Sequence, residues 1–170
     1  MEITEFKIKR YKELIRGILL GNGTRWSFIR LNVVDYVLDG FQFTNKEHIA
    51  NIGCIKEDTQ LHRILSIKDD SKDILPQIDS NILNEDDLLY SYLKENNVLV
   101  AVGLHREDVI YVGKIEKINL KSFVLDSYDT ELRKSGFMNI EFNKVRLIQM
   151  HTDYLDSLSL LLDKMNENVK

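Results

Sequence analysis

The residues able to do chemistry in this chain are few and scattered. His62 follows Asp58 by four positions, a spacing that puts both side chains on one helical face and could form half of a metal site. No third ligand accompanies them, and a solvated helix face accounts for the pair. His151 stands beside Asp153 and Asp156 at the start of a helical pattern, where the helix dipole already explains the two carboxylates. His48 and His105 sit near turns. Cys54 is the only cysteine, which excludes an internal disulfide and a cysteine-based zinc site; in an apolar strand it is expected to be a buried, inert thiol. Asp39 and Asp126 each end a Val-Leu-Asp segment and could pair as general acid and base, but bonding to turn backbone explains each one separately. Gly21-Asn22-Gly23 lacks the lysine and helix of a phosphate loop, and neither Gly-x-Ser-x-Gly nor His-Glu-x-x-His occurs. These residues point to no catalytic centre, no metal and no cofactor.

The strongest local field comes from a basic stretch. Lys7, Lys9, Arg10, Lys12, Arg16, Arg25 and Arg30 are opposed there by Glu13 alone, whereas residues 71–170 carry 12 basic against 17 acidic side chains. Arg25, Trp26, Phe28 and Arg30 interleave cations with aromatics, as a single-stranded nucleic acid site would. The competing expectation is that Trp26 and Phe28 are core and the basic residues pair internally or steer an acidic protein partner.

The chain must supply elements to position these groups, and its 170 residues, 44% hydrophobic and 29% charged, suit a soluble globular protein. No apolar run approaches the roughly 20 residues that cross a bilayer, and the N-terminus lacks a signal-peptide core, so a cytoplasmic, membrane-free protein is expected. Eighteen Ile, 13 Asn and 15 Lys against 2 Ala suggest an AT-rich bacterial or phage genome.

Residues 2–16 mix strand and helix periods, and a helix running into a strand is expected. A hairpin over Leu14–Leu20 and Arg25–Leu31 follows, with Gly21-Asn22-Gly23 supplying the positive φ of its turn. A strand Asp35–Phe43 bent at Gly40, a turn at Asn45-Lys46, and a strand Ile49–Ile55 lead to a helix carrying Leu61, Ile64 and Leu65. Residues 68–84, with the only proline, Pro76, read as a linker. Asn84 is placed to cap a helix bearing Leu88, Leu89, Tyr92 and Leu93. Strands Val98–Leu104, Val109–Asn119 with a bulge at Gly113, Phe123–Tyr128, Phe137–Phe142 and Val145–Met150 follow, and Thr152 caps a last helix carrying Leu155, Leu158, Leu161, Leu162 and Met165.

The order of features in Arg30–Ile49 recurs in Lys117–Val145, which reads as a diverged duplication with Asp39 and Asp126 at equivalent places. A helix, then five short strands with a bent second strand and a very short turn before the fifth, resembles the small β-barrels of the Sm-like and SH3-like class over residues 85–151, and more loosely over 3–56. That resemblance implies a mainly β, α+β chain of two tandem barrels with flanking helices. Residues 1–67 would be the first barrel with its closing helix, 68–84 the linker and 85–170 the second barrel. A second barrel or a homo-oligomer would cover the apolar edges. Asn119-Leu120-Lys121 and Phe142-Asn143-Lys144 stand where Sm-like proteins carry their RNA-binding motifs and do not match them. The expected function is non-enzymatic binding of a protein partner through edges and loops, as in small acidic inhibitor or immunity proteins. A nucleic-acid-binding barrel pair through the seven basic residues is the second reading. A small-molecule site or enzyme between the barrels, built from Asp39, Asp126, His62 and Cys54, is the third.

Overall fold

The computed structural model describes residues 1–69 and 75–167. Alternation of buried and outward residues makes the N-terminal segment a strand: in β1 (Ile3–Ile8) Thr4, Phe6 and Ile8 are buried, while Glu5 and Lys7 are only partly covered. No helix precedes it, because the helically spaced Tyr11, Leu14 and Ile15 are divided between a turn and the next strand. β2 (Leu14–Asn22) and β3 (Trp26–Val34) form the expected hairpin, followed by β4 (Val37–Asn45), a 3-10 turn at Lys46–His48, β5 (Ile49–Cys54) and α1 (Gln60–Asp69).

Glycine works differently from expectation in that hairpin. Neither Gly21 nor Gly23 has a positive φ. A Cβ on Gly23 would stand 2.3 Å from the Leu83 carbonyl oxygen, so the glycine admits close approach of a 3-10 helix, Ser80–Asn84. The expected linker is therefore packed over part of its length, with Leu83 buried and Ile78 and Ile82 against the core, while residues 70–74 lie outside the described residues.

α2 (Asp86–Glu95) has Glu85, not Asn84, at its N-cap position. Glu85 makes no side-chain cap bond, and the Asn84 side chain instead accepts the Thr24 N–H at 2.9 Å. Then come β6 (Val100–Gly103), β7 (Ile110–Ile118), β8 (Ser122–Tyr128), β9 (Lys134–Glu141), a 3-10 turn at Phe142–Lys144, β10 (Leu147–Met150) and α3 (Asp153–Glu167), whose Leu155 N–H bonds Thr152 Oγ1 at 3.2 Å. Leu155, Leu158 and Leu162 of α3 face inward, whereas Leu161 and Met165 are exposed. The irregularity of β7 lies between Ile115 and Lys117, not at Gly113. Gly113 is needed for approach instead: a Cβ there would meet the Asp126 carbonyl oxygen at 2.4 Å.

Among the described residues the strands join in one antiparallel sheet of ten, ordered β5-β1-β2-β3-β4-β10-β6-β7-β8-β9, which is not closed. Each run of five has the same order, its fifth strand beside its first and its fourth at the far side. The seam is β4 with β10, where Phe43 faces Ile148 and Phe41 faces Met150. The main core lies behind this seam. Trp26 meets Tyr90 edge-on at 6.1 Å, and Tyr90 packs on Phe123 and Phe142 with ring centroids 4.6 and 4.7 Å away. The two Val-Leu-Asp segments do not fall on equivalent strands, since Asp39 is on β4, the fourth strand of its run, and Asp126 on β8, the third of its own.

Candidate functional site

A cleft of about 1020 Å³ opens between the start of α2 and two turns of the second run of strands. The turns are local products of their asparagines and backbone: Asn119 N–H bonds Ser122 O at 2.8 Å, and the Asn119 side chain reaches the Ser122 hydroxyl. Phe142 N–H bonds Lys121 O at 3.0 Å, tying the β7–β8 turn to the turn before β10. Asn143 O lies 2.7 Å from His48 Nε2, so the 3-10 turns of the two runs touch. Burial holds the His48 imidazole below its ordinary pKa.

The lining combines apolar Ile118, Leu120 and Phe142 with Glu85, Asp86, Asp87 and Glu141, against only Arg25 and Lys121. Asp86 and Arg25 offset each other, with Arg25 Nη2 2.9 Å from Asp86 Oδ2 and Arg25 also bonded to Glu47. That guanidinium hydrogen bond holds the Glu47 carboxyl below the usual range. Glu141 pairs with Lys144 on the exposed rim at 2.7 Å. Glu85 and Asp87 add further negative charge to the lining, and Leu120 is 91% exposed beside them. Such a site suits a cationic or amphipathic segment.

The seven basic residues do not form one surface. Arg16 bonds Glu5 across the β1–β2 pair with its Nε at 2.7 Å, Arg25 is held as described, and buried Arg30 lies 3.5 Å from Asp69. Lys7 donates to the Lys12 carbonyl, and Lys9 to the Glu47 carbonyl at 2.8 Å. Arg10 and Lys12 remain exposed at the β1–β2 turn, but the Glu107 carboxylate accepts the backbone N–H groups of Lys12 and Glu13 there at 2.6 and 2.9 Å. Trp26 is fully buried, its Nε1 donating to Asp86 Oδ1 at 3.0 Å, and Phe28 stacks on Phe43 at 4.7 Å. The aromatics of the expected stacking platform are core.

The other candidates also separate. Asp39 accepts the Asp153 N–H at 2.7 Å, joining β4 to the start of α3, while buried Asp126 pairs with Lys134 at 2.7 Å. Asp39 thus bonds backbone across the seam, not in its own run of strands. His62 lies 3.3 Å from the Met1 carbonyl oxygen and contacts Ser66, and His151 pairs with Asp156 at 3.1 Å. Cys54 is exposed, contrary to expectation, because β5 is an edge; its contact with the Glu2 carboxylate pushes the thiol pKa up, away from the thiolate a nucleophile needs. Among the described residues no group of three or more His, Cys, Asp or Glu could hold a metal ion. A second groove of about 700 Å³ over β6 and β10 is lined by Tyr111, Tyr128, Tyr154, Asp39 and Gln149. Asp126, His62 and Cys54 do not line it, so the residues expected to form an inter-barrel site are not gathered there.

Sequence reasoning identified both turns of the acidic cleft but missed the cleft, because Glu85–Asp87 and Glu141 are brought together by tertiary packing alone. Comparison of the chain with known protein families, curated proteins and solved structures finds no match. Among the described residues no helix is long and apolar enough to cross a membrane.

Proposed function

We propose that this chain is a non-enzymatic binding protein that holds a basic, partly apolar segment of a protein partner in the acidic cleft, an activity suited to an inhibitor or immunity-type role. The observation that carries this reading is the fate of the basic stretch. Arg16, Arg25 and Arg30 face Glu5, Asp86 with Glu47, and Asp69, leaving Glu85 and Asp87 to set the field of the cleft, with Glu141 on its rim paired to Lys144. The tandem-barrel organisation with a duplicated ancestor belongs to the same proposal; the repeated strand order and the two 3-10 turns before β5 and β10 support it.

The test is purification of the native complex, with its mass and nucleic-acid content determined, followed by titration of the partner against Asp87→Lys and Glu141→Lys together. Partner affinity should fall about tenfold or more and should depend on salt, with the fold unchanged. Exposed Arg10 and Lys12 keep a nucleic-acid reading testable. Single-stranded RNA held with sub-micromolar affinity at physiological salt, and lost in Arg10→Glu with Lys12→Glu, would replace the protein-binding reading. Reversing Arg25 or Arg30 would not test it, because both lie against carboxylates inside the fold.

A further inference from the structure

The seam inside the chain joins the fourth strand of the first run, β4, to the fifth strand of the second, β10. The two edges left over are β5, the fifth strand of the first run, and β9, the fourth strand of the second. They are the same two kinds of edge that the seam already joins. Every neighbouring pair in the sheet is antiparallel, so across ten strands β5 and β9 run in opposite directions. A second copy rotated about an axis along the strands therefore brings its β5 to the first copy's β9 in antiparallel orientation, continuing the sheet without turning it over.

Neither edge carries a charge or a proline over its central residues, and the register shift in the β1–β5 ladder, between Lys7 and Ile8, falls at the start of β5, beside Ala50. β5, Ile49–Cys54, contains no charged residue and no proline, and between Lys134 and Glu141 the residues of β9 are all uncharged and include no proline. The irregularity in the β8–β9 ladder lies between Ser127 and Tyr128, so it affects only the start of β9. Each edge also exposes one large apolar side chain, Ile52 at 51% and Phe137 at 68%. We infer that β5 and β9 are a head-to-tail interface between copies of this chain, in which β9 of one copy adds to β5 of the next. Because each copy keeps one edge of each kind open, the contact builds an assembly of more than two chains unless rotation closes it.

The native Cys54 on β5 allows a direct test, since it is the only cysteine. Phe137→Cys and Asn139→Cys, made separately on β9, should give disulfide-linked multimers on mild oxidation, and Cys54→Ser in the same chains should abolish them. The wild type should show a mass above one chain in solution. Ile52→Lys and Phe137→Lys, both at exposed positions, should each reduce it to a monomer with unchanged melting. A wild type that stays monomeric over the accessible concentration range would overturn the inference. So would cross-links that persist with Cys54→Ser, which would mean that β9 meets β9.

Discussion

Trp26 and Asp86 stand 60 positions apart in the chain and meet through one hydrogen bond, indole Nε1 to Oδ1 at 3.0 Å, with Arg25 Nε on the same oxygen at 2.9 Å. The first turn of α2 is thereby fastened to β3. Asp86→Ala leaves a fully buried indole N–H without its acceptor and the Arg25 guanidinium with Glu47 alone, and should cost about 3 kcal/mol. Denaturant unfolding followed by the fluorescence of the single tryptophan would measure it. Trp26→Ala should cost about 3 to 5 kcal/mol through its cavity, and iodide should not quench the native fluorescence.

Tyr90 gives an opposite prediction. Its ring is fully buried among Trp26, Phe123 and Phe142, and its hydroxyl has no hydrogen-bond partner among the described residues. Tyr90→Phe keeps the ring packing and removes the desolvated oxygen, so stability should rise by about 1 kcal/mol. A lower unfolding midpoint would contradict this account of the core.

Gly40 should tolerate no side chain. Its φ is +66°, and a Cβ would stand 2.5 Å from the Thr152 backbone nitrogen across the seam. Gly40→Ala should destabilise by about 2 kcal/mol or more, combining left-handed strain with a backbone clash. Gly136 also has a positive φ, but a Cβ added there would meet nothing within 4 Å, so Gly136→Ala should show the conformational part alone.

Acid should loosen the β1–β2 turn. The backbone N–H groups of Lys12 and Glu13 hold the Glu107 carboxyl below the ordinary glutamate range. The unfolded chain takes up that proton first, so the stabilisation is present above the ordinary range and is lost as pH falls through the lowered folded value. Wild type and Glu107→Gln should differ in melting temperature at neutral pH and converge in acid. Hydrogen exchange at Lys12 and Glu13 should speed up over the same window.

Elements whose partners lie nearby in the chain could be read from residue order. The hairpin of β2 and β3, the bend at Gly40, the turns at Asn45-Lys46 and Phe142-Asn143-Lys144, and the Thr152 cap all depend on backbone chemistry within a few residues. The alternating Phe6 and Ile8 also carried the correct period for β1, but Tyr11, Leu14, Ile15 and Ile18 added a helical spacing that only burial against other strands could override.

The sequence by itself determined that this is a mainly β protein with peripheral helices, because strand periods, turn asparagines and helix starts are local signals. Only the tertiary structure decided what the charged and polar residues do. Asn84 bonds Thr24 and does not cap α2, Arg25 reaches Asp86, Asp39 meets the start of α3, and Glu107 holds the backbone of the β1–β2 turn. Each partner is at least 60 positions away in the chain, and residue type and spacing carry no record of which distant group will lie within hydrogen-bonding reach. The joining of the two strand runs was set in the same way, by the hydrogen bonds of β4 to β10, strands separated by more than half of the chain.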